Sequence, residues 1–151
     1  MLPIKKIISP TDFSELSDMG LKAAIELAEH FSAELLVVHV VAPLSAAATS
    51  AAPAAHYLPE VMESIRNNAE NSLKAMMEKK VPDTLRSKSI LLEGSPSDEI
   101  AEYAKEIEAD LIVIATHGQS GWRRFMFGSV TEKVMRLSKS PVLIIGSPEK
   151  S

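Results

Sequence analysis

Two hydrophobic rhythms alternate along the chain. Leu35–Val41, Asp110–Ala115 (DLIVIA) and Pro141–Gly146 (PVLIIG) are short apolar runs with little polar alternation. That is the character of strands buried on both faces. Elsewhere apolar residues recur every three or four positions, the stripe of an amphipathic helix. One such stripe runs Leu16, Gly20, Ala23, Leu27 and Phe31, and a second Val61, Ile65, Ala69, Leu73 and Met76. A third joins Ile100, Ala104 and Ile107, and a fourth Val130, Val134 and Leu137. Ile4–Ser9, ended by Pro10, adds a first strand, and Arg86–Glu93 another whose polar first half places it near a sheet edge. Strictly alternating strands and helices predict an α/β fold, a single doubly wound five-stranded parallel sheet with helices on both faces.

Local signals refine the boundaries. Asp12 followed by Glu15 has capping-box spacing, and so does Ser129 followed by Glu132. Residues 42–59 are rich in Ala, Ser and Pro and carry no apolar stripe, which predicts a mobile loop. No internal repeat or composition break divides residues 1–151, so a single domain is expected.

Composition narrows the chemistry. The absence of cysteine excludes disulfides, thiolate metal sites and a cysteine nucleophile, and suits a reducing cytoplasm. The first fifteen residues lack an apolar core of signal-peptide length. No run approaches the roughly 20 apolar residues of a membrane helix, so a soluble protein without a membrane partner is expected. Net charge is −4, and the only tight basic pair beside aromatics is Arg123–Arg124. Nucleic-acid binding, which needs clustered cations, is not expected. An anionic ligand must instead be held by a local device.

Sheets of this type bind ligands outside the carboxyl ends of their strands, where the winding reverses. The segments there are Ser9–Ser14, Val40–Val41, and the stretch from Ala115 to Ser129. Neither GxxxxGK[ST] nor a GxGxxG after the first strand is present. Three of the six glycines, Gly118, Gly121 and Gly128, fall within eleven residues after the fourth strand. Gly118 can bring bare backbone amides close to an anion. Gly128–Ser129 stands where the last helix begins, so unpaired amides and the helix dipole make a phosphate seat. The same Ser129 reads equally as a helix cap, and Gly128 as a turn residue. Asp12 has two readings as well, a helix cap or a partner for ribose, adenine or a phosphate-bound metal. Pro10 and Thr11 fix the turn that aims it. His39 reads as a hydrogen-bonded core histidine, Val40 as core with a backbone open to a ligand edge, and the four histidines lack metal-ligand spacing.

At these residues the chain resembles the universal stress protein family, end to end. The matching segments are KKIISPTDFSELS, LLVVHV, EGSPSDEIAEYA and ADLIVIATHGQSGWRRFMFGSVTEKVMRLSKSPVLII. The last is similar to the family's nucleotide signature, G-x2-G-x9-G-[ST], with Ala115 in place of the first glycine. The resemblance implies a flavodoxin-like sheet in the order 3-2-1-4-5 and a site for ATP, AMP or ADP, with or without Mg2+. It implies Pro10, Thr11 and Asp12 beside the adenosine, and the Val40 backbone on adenine. It places Ile114 and Ala115 on the floor, with Gly118, Gly128, Ser129 and Val130 around the phosphates. It also implies a homodimer through Pro141–Gly146, an apolar edge strand that invites pairing.

Three functions follow from this reading. The first is a stress-response regulatory protein that switches with adenine-nucleotide occupancy. The second is a slow ATPase or phosphotransferase, for which Asp12, Ser129, Arg123 and Arg124 supply some of the groups that phosphoryl transfer needs, but no water-positioning base. The third is a nucleotide-free dimeric interaction protein, in which the Ala115 methyl closes the cavity.

Overall fold

Residues on every inner strand contribute to two cores at once, because successive side chains leave a strand on opposite faces. In the computed structural model, which describes residues 2–44, 58–116 and 128–147, β1 (Lys6–Pro10) is followed by α1 (Glu15–Phe31) and β2 (Glu34–Val41). Next come α2 (Leu58–Lys80), β3 (Ser87–Glu93), α3 (Pro96–Glu106), β4 (Leu111–Thr116), α4 (Ser129–Leu137) and β5 (Val142–Gly146). The strands form one parallel sheet in the order β3-β2-β1-β4-β5. Ile7, Leu35, Val37 and Val113 point into a core shared with Leu21, Ala24 and Ala28 of α1 and with Leu73 and Met76 of α2. Ile8, Leu36, Val38 and Ile112 point the other way, against Ile100 and Ala104 of α3 and Val134 of α4. The doubly wound fold expected from the hydrophobic pattern is the fold observed.

Register places the polar start of β3, Ser87–Ser89, against Leu35–Val37 at one margin of the sheet, as its composition predicts. β5 occupies the other margin, pairing Val142–Gly146 with Ile112–Thr116. At its start β1 departs from expectation. Ile4 is buried, but pairing begins at Lys6, because the Lys5 and Lys6 amides donate to the Asp110 carboxylate at 2.8 and 2.9 Å. Both capping boxes are corrected too. Ser14, not Asp12, caps α1, its hydroxyl accepting from the Ser17 amide at 3.1 Å. α4 is capped by Gly128 without a side-chain bond, Ser129 is its first helical residue, and Glu132 pairs with Arg136 at 2.7 Å. Of the expected loop at 42–59, Leu58 and Pro59 already belong to α2, and 45–57 lie outside the described residues. No described helix is long and apolar enough to cross a membrane.

One close approach holds the layers together near the carboxyl edge. Gly20 of α1 lies so near β4 that a Cβ there would come within 3.1 Å of the Ala115 nitrogen and 3.3 Å of its Cβ. β4 is paired on both sides, to β1 and β5, and its backbone has little freedom to retreat. Gly20→Ala gains up to about 1 kcal/mol of helix propensity but overpacks this contact at a cost of roughly 1–3 kcal/mol. Urea denaturation is expected to show a net loss near 1 kcal/mol; an unchanged or higher midpoint would mean that α1 can slide away from β4.

Candidate functional site

The strand order reverses direction at β1, whose neighbours β2 and β4 carry the chain to opposite sides. A crevice opens at such a switch point because the connections leave toward different faces. Here it is a cleft of about 310 Å³ at the carboxyl edge, in the size range of small-ligand sites. Its walls are the turn after β1, the ends of β2 and β4, and the first turns of α3 and α4. Most of the lining is apolar, with Val38, Val40, Ile100 and Ile114 among its members.

The turn from Pro10 to Ser14 is the most heavily bonded part of this edge. The Thr11 amide donates to the Val38 carbonyl at 2.8 Å, and the Thr11 hydroxyl accepts from the Phe13 amide at 3.0 Å. Phe13 has a φ of 66°, a left-handed conformation that costs a bulky residue about 1–2 kcal/mol. That kink puts Ser14 at the head of α1 and leaves Asp12 projecting before it. Asp12 Oδ1 accepts from both the Ser14 amide, at 3.0 Å, and the Ser14 hydroxyl. Oδ2 receives neither of these bonds. Partial burial on its own pushes the Asp12 carboxyl up. The bonds from the Ser14 hydroxyl and amide, with the Ser17 hydroxyl, outweigh it and hold the group below its ordinary value. Asp12 is therefore an anion near neutral pH, pinned through one oxygen.

Across the cleft stands the start of α4. The Gly128 amide reaches the Thr116 hydroxyl at 3.4 Å, a long and weak bond. Gly128 and Ser129 are exposed, Val130 is half-buried, and all three line the cleft. The first amides of a helix have no intrahelical acceptor. Among the described residues no side chain caps them, so they and the dipole face the cleft as a seat for an anion.

Nine of the ten sequence-selected residues, Pro10, Thr11, Asp12, Val40, Ile114, Ala115, Gly128, Ser129 and Val130, line this one cleft. Gly118, Arg123 and Arg124 lie outside the described residues. Ala115 sits within β4 without a positive φ, and its methyl meets Gly20 on the α1 side. The position thus requires no glycine backbone, and Gly20 provides room for the extra carbon. Sequence reasoning passed over Ser14, Ser17, Pro96, Ile100, Thr116 and Thr131, which also line the cleft. Pro96 and Ile100 carried a usable signal, standing one helical turn apart just after the β3 edge; Ser14 was hidden behind Asp12 as a rival cap. Among the described residues Asp12 is the single carboxylate in the lining, and no three acidic or histidine groups form a metal cluster.

Known proteins share this architecture. The model of the universal stress protein family matches residues 3–146. A universal stress protein of Methanocaldococcus jannaschii is 34% identical over 146 residues, covering 97% of this chain and 84% of that protein. The universal stress protein UspA from Lactobacillus plantarum superposes with a TM-score of 0.75 at 23% identity, over 93% of this chain and 97% of its own. A universal stress protein solved in complex with cAMP superposes with a TM-score of 0.60 at 26% identity, over 95% and 97%.

The Asp12 carboxyl provides a direct check on the turn. A depressed folded-state pKa contributes stability that is present above the unfolded value and lost as pH falls through the folded one. Carboxyl-detected NMR titration is expected to place the Asp12 midpoint below that of an exposed aspartate, and Ser14→Ala to raise it. An unmoved midpoint in the variant would contradict the bonds assigned to Oδ1.

Proposed function

The chain belongs to the universal stress protein family, and on that footing we propose that its cleft binds an adenine nucleotide, ATP first among them, as a regulatory ligand. The observation that carries this reading is the pairing of an apolar cleft with an uncapped helix start at one end and a pinned carboxylate at the other. An adenine ring suits Val38, Val40, Ile100 and Ile114, with the Val40 backbone on its polar edge. Pro10, Thr11 and Asp12 flank the ribose, whose hydroxyls are donors for Asp12 Oδ2. Ile114 and Ala115 form the floor, and Gly128, Ser129 and Val130 hold the phosphates, with Gly118 assigned by the family signature. Similarity to a family member solved with cAMP supports the ligand class. Mg2+ enters on the phosphates, since one carboxylate is no cage for it. Occupancy acts as a switch to the extent that nucleotide binds one conformation better than another. A cysteine-free chain of this kind is suited to the cytoplasm.

Calorimetric titration of nucleotide-stripped protein with ATP, AMP and adenosine, with and without Mg2+, tests the reading. Saturable heat is expected for the nucleotides, with little phosphate release over hours. Ser129→Asp separates the two halves of the site. An acidic residue in the first turn favours the helix by about 0.3–1 kcal/mol, so stability is maintained, while its charge opposes phosphate. AMP and ATP are expected to weaken by roughly tenfold or more and adenosine to be unaffected. Equal losses for all three would remove the phosphates from α4, and no heat with any ligand would end the proposal.

We also propose that two copies pair through β5. It lies at the sheet margin, and Leu143 on it is 39% exposed. An apolar edge of this sort is normally covered. Light scattering coupled to gel filtration is expected to give a dimer for the native chain and a monomer for Leu143→Lys. A native monomer at micromolar concentration would refute it.

A further inference from the structure

The strained turn that presents Asp12 is not held by its own residues alone. His39, on β2, reaches across to it. Its Nδ1 lies 2.7 Å from the Thr11 carbonyl oxygen, and its ring lies 4.4 Å from that of Phe13, tilted by 36°. A carbonyl oxygen only accepts, so Nδ1 carries a proton and donates it to Thr11. His39 therefore grips both sides of the kink: the carbonyl that precedes Asp12 and the aromatic ring that follows it. Phe13 is the one residue of the turn in a left-handed conformation, and such a residue persists only where its surroundings over-determine it.

We infer that His39 is the positioning residue of the candidate site, setting the Asp12 carboxylate for the ribose of a bound nucleotide by clamping Thr11 and Phe13. Its side chain leaves β2 on the face of Val37 and α1, opposite the Val38 and Val40 side chains that line the proposed adenine wall. His39 itself also lines the cleft, and the clamp acts through the turn it holds. It links the end of β2 to the turn after β1, the two walls nearest Asp12. The part concerning ligand affinity rests on the adenine-nucleotide reading above; the part concerning the turn does not.

The experiment has one arm for each. On ligand-free, 15N-labelled protein, long-range proton–nitrogen correlation is expected to show His39 as the Nδ1–H form; an Nε2–H form overturns the inference without reference to any nucleotide. In His39→Leu, which keeps apolar bulk and loses the donor, hydrogen exchange at the Phe13 and Ser14 amides is expected to rise about tenfold. In His39→Asn, whose side-chain amide reaches the same carbonyl, it is expected to stay within about threefold of the native rate. AMP affinity is expected to follow the same order, falling about tenfold in the leucine variant and recovering in the asparagine variant. Equal losses in both, or unchanged exchange in His39→Leu, overturn the clamp. An Nδ1–H histidine with the expected exchange pattern in a protein that binds no adenine nucleotide supports the clamp and refutes the proposed function instead.

Discussion

The kink between Pro10 and Ser14 is the constraint on which the functional end of this molecule depends. β1 is the middle strand, buried on both faces, and it ends where its neighbours diverge. The chain must leave the sheet within four residues, start a helix that covers one face, and satisfy every amide on the way. A left-handed Phe13 makes the change of direction. Thr11 then serves Val38 with its amide and Phe13 with its hydroxyl, while Asp12 serves Ser14 twice. Each bond is worth only about 1 kcal/mol net, but together they exceed the strain at one residue. The exposed carboxylate of Asp12 is therefore a by-product of a turn that the fold needs in any case, and that is an economical place to build a binding group.

The far wall is built on the opposite rule. α4 begins without a side-chain cap, although a serine stands beside its first turn. Had Ser129 been the cap, its hydroxyl would have taken the amides that an anion needs. Shifting the start by one residue, so that Gly128 is the cap and Ser129 the first helical residue, leaves those donors to solvent or ligand. Among the described residues, only the weak 3.4 Å contact to Thr116 engages the Gly128 amide. The start of α1 is capped by a side chain and the start of α4 is not, and the cleft lies between them.

How much of this was legible follows from the range of each cause. Strands buried on two faces declare themselves in Leu35–Val41 and Asp110–Ala115, because both rows of side chains must be apolar. The polar Ser87–Ser89 declares an edge for the same reason. Helix starts were misread by one or two residues wherever two capping residues compete. Asp12 and Ser14 are both good caps, and only the Phe13 kink, which no propensity foretells, decides between them. Ser129 and Glu132 have the right spacing, yet Glu132 finds Arg136 on its own helix. The contributions of Pro96 and Ile100 to the cleft depend on how α3 lies across the sheet, and no local pattern contains that. His39 was legible as a bonded histidine, but its partner, Thr11, is distant in sequence and became visible only through the pairing of β1 with β2.

The alanine at position 115 shows how a motif can change without changing what it does to its surroundings. A glycine at that point of the family signature suggests that the ligand needs the space, and on that view a methyl group narrows the cleft. In the structure the methyl points toward α1, and the atom that makes room is missing from Gly20. The relevant unit is the pair: a small residue on the helix and a small residue on the strand, with one carbon to distribute between them. A chain with alanine at 20 and glycine at 115 would remove the Cβ–Cβ conflict but leave the helix carbon 3.1 Å from the strand nitrogen. The two arrangements are not equivalent, and the one observed keeps the helix close to the sheet at the point where both contribute to the cleft. A departure from a signature is thus to be judged by the partner residue it faces, which the signature itself does not include.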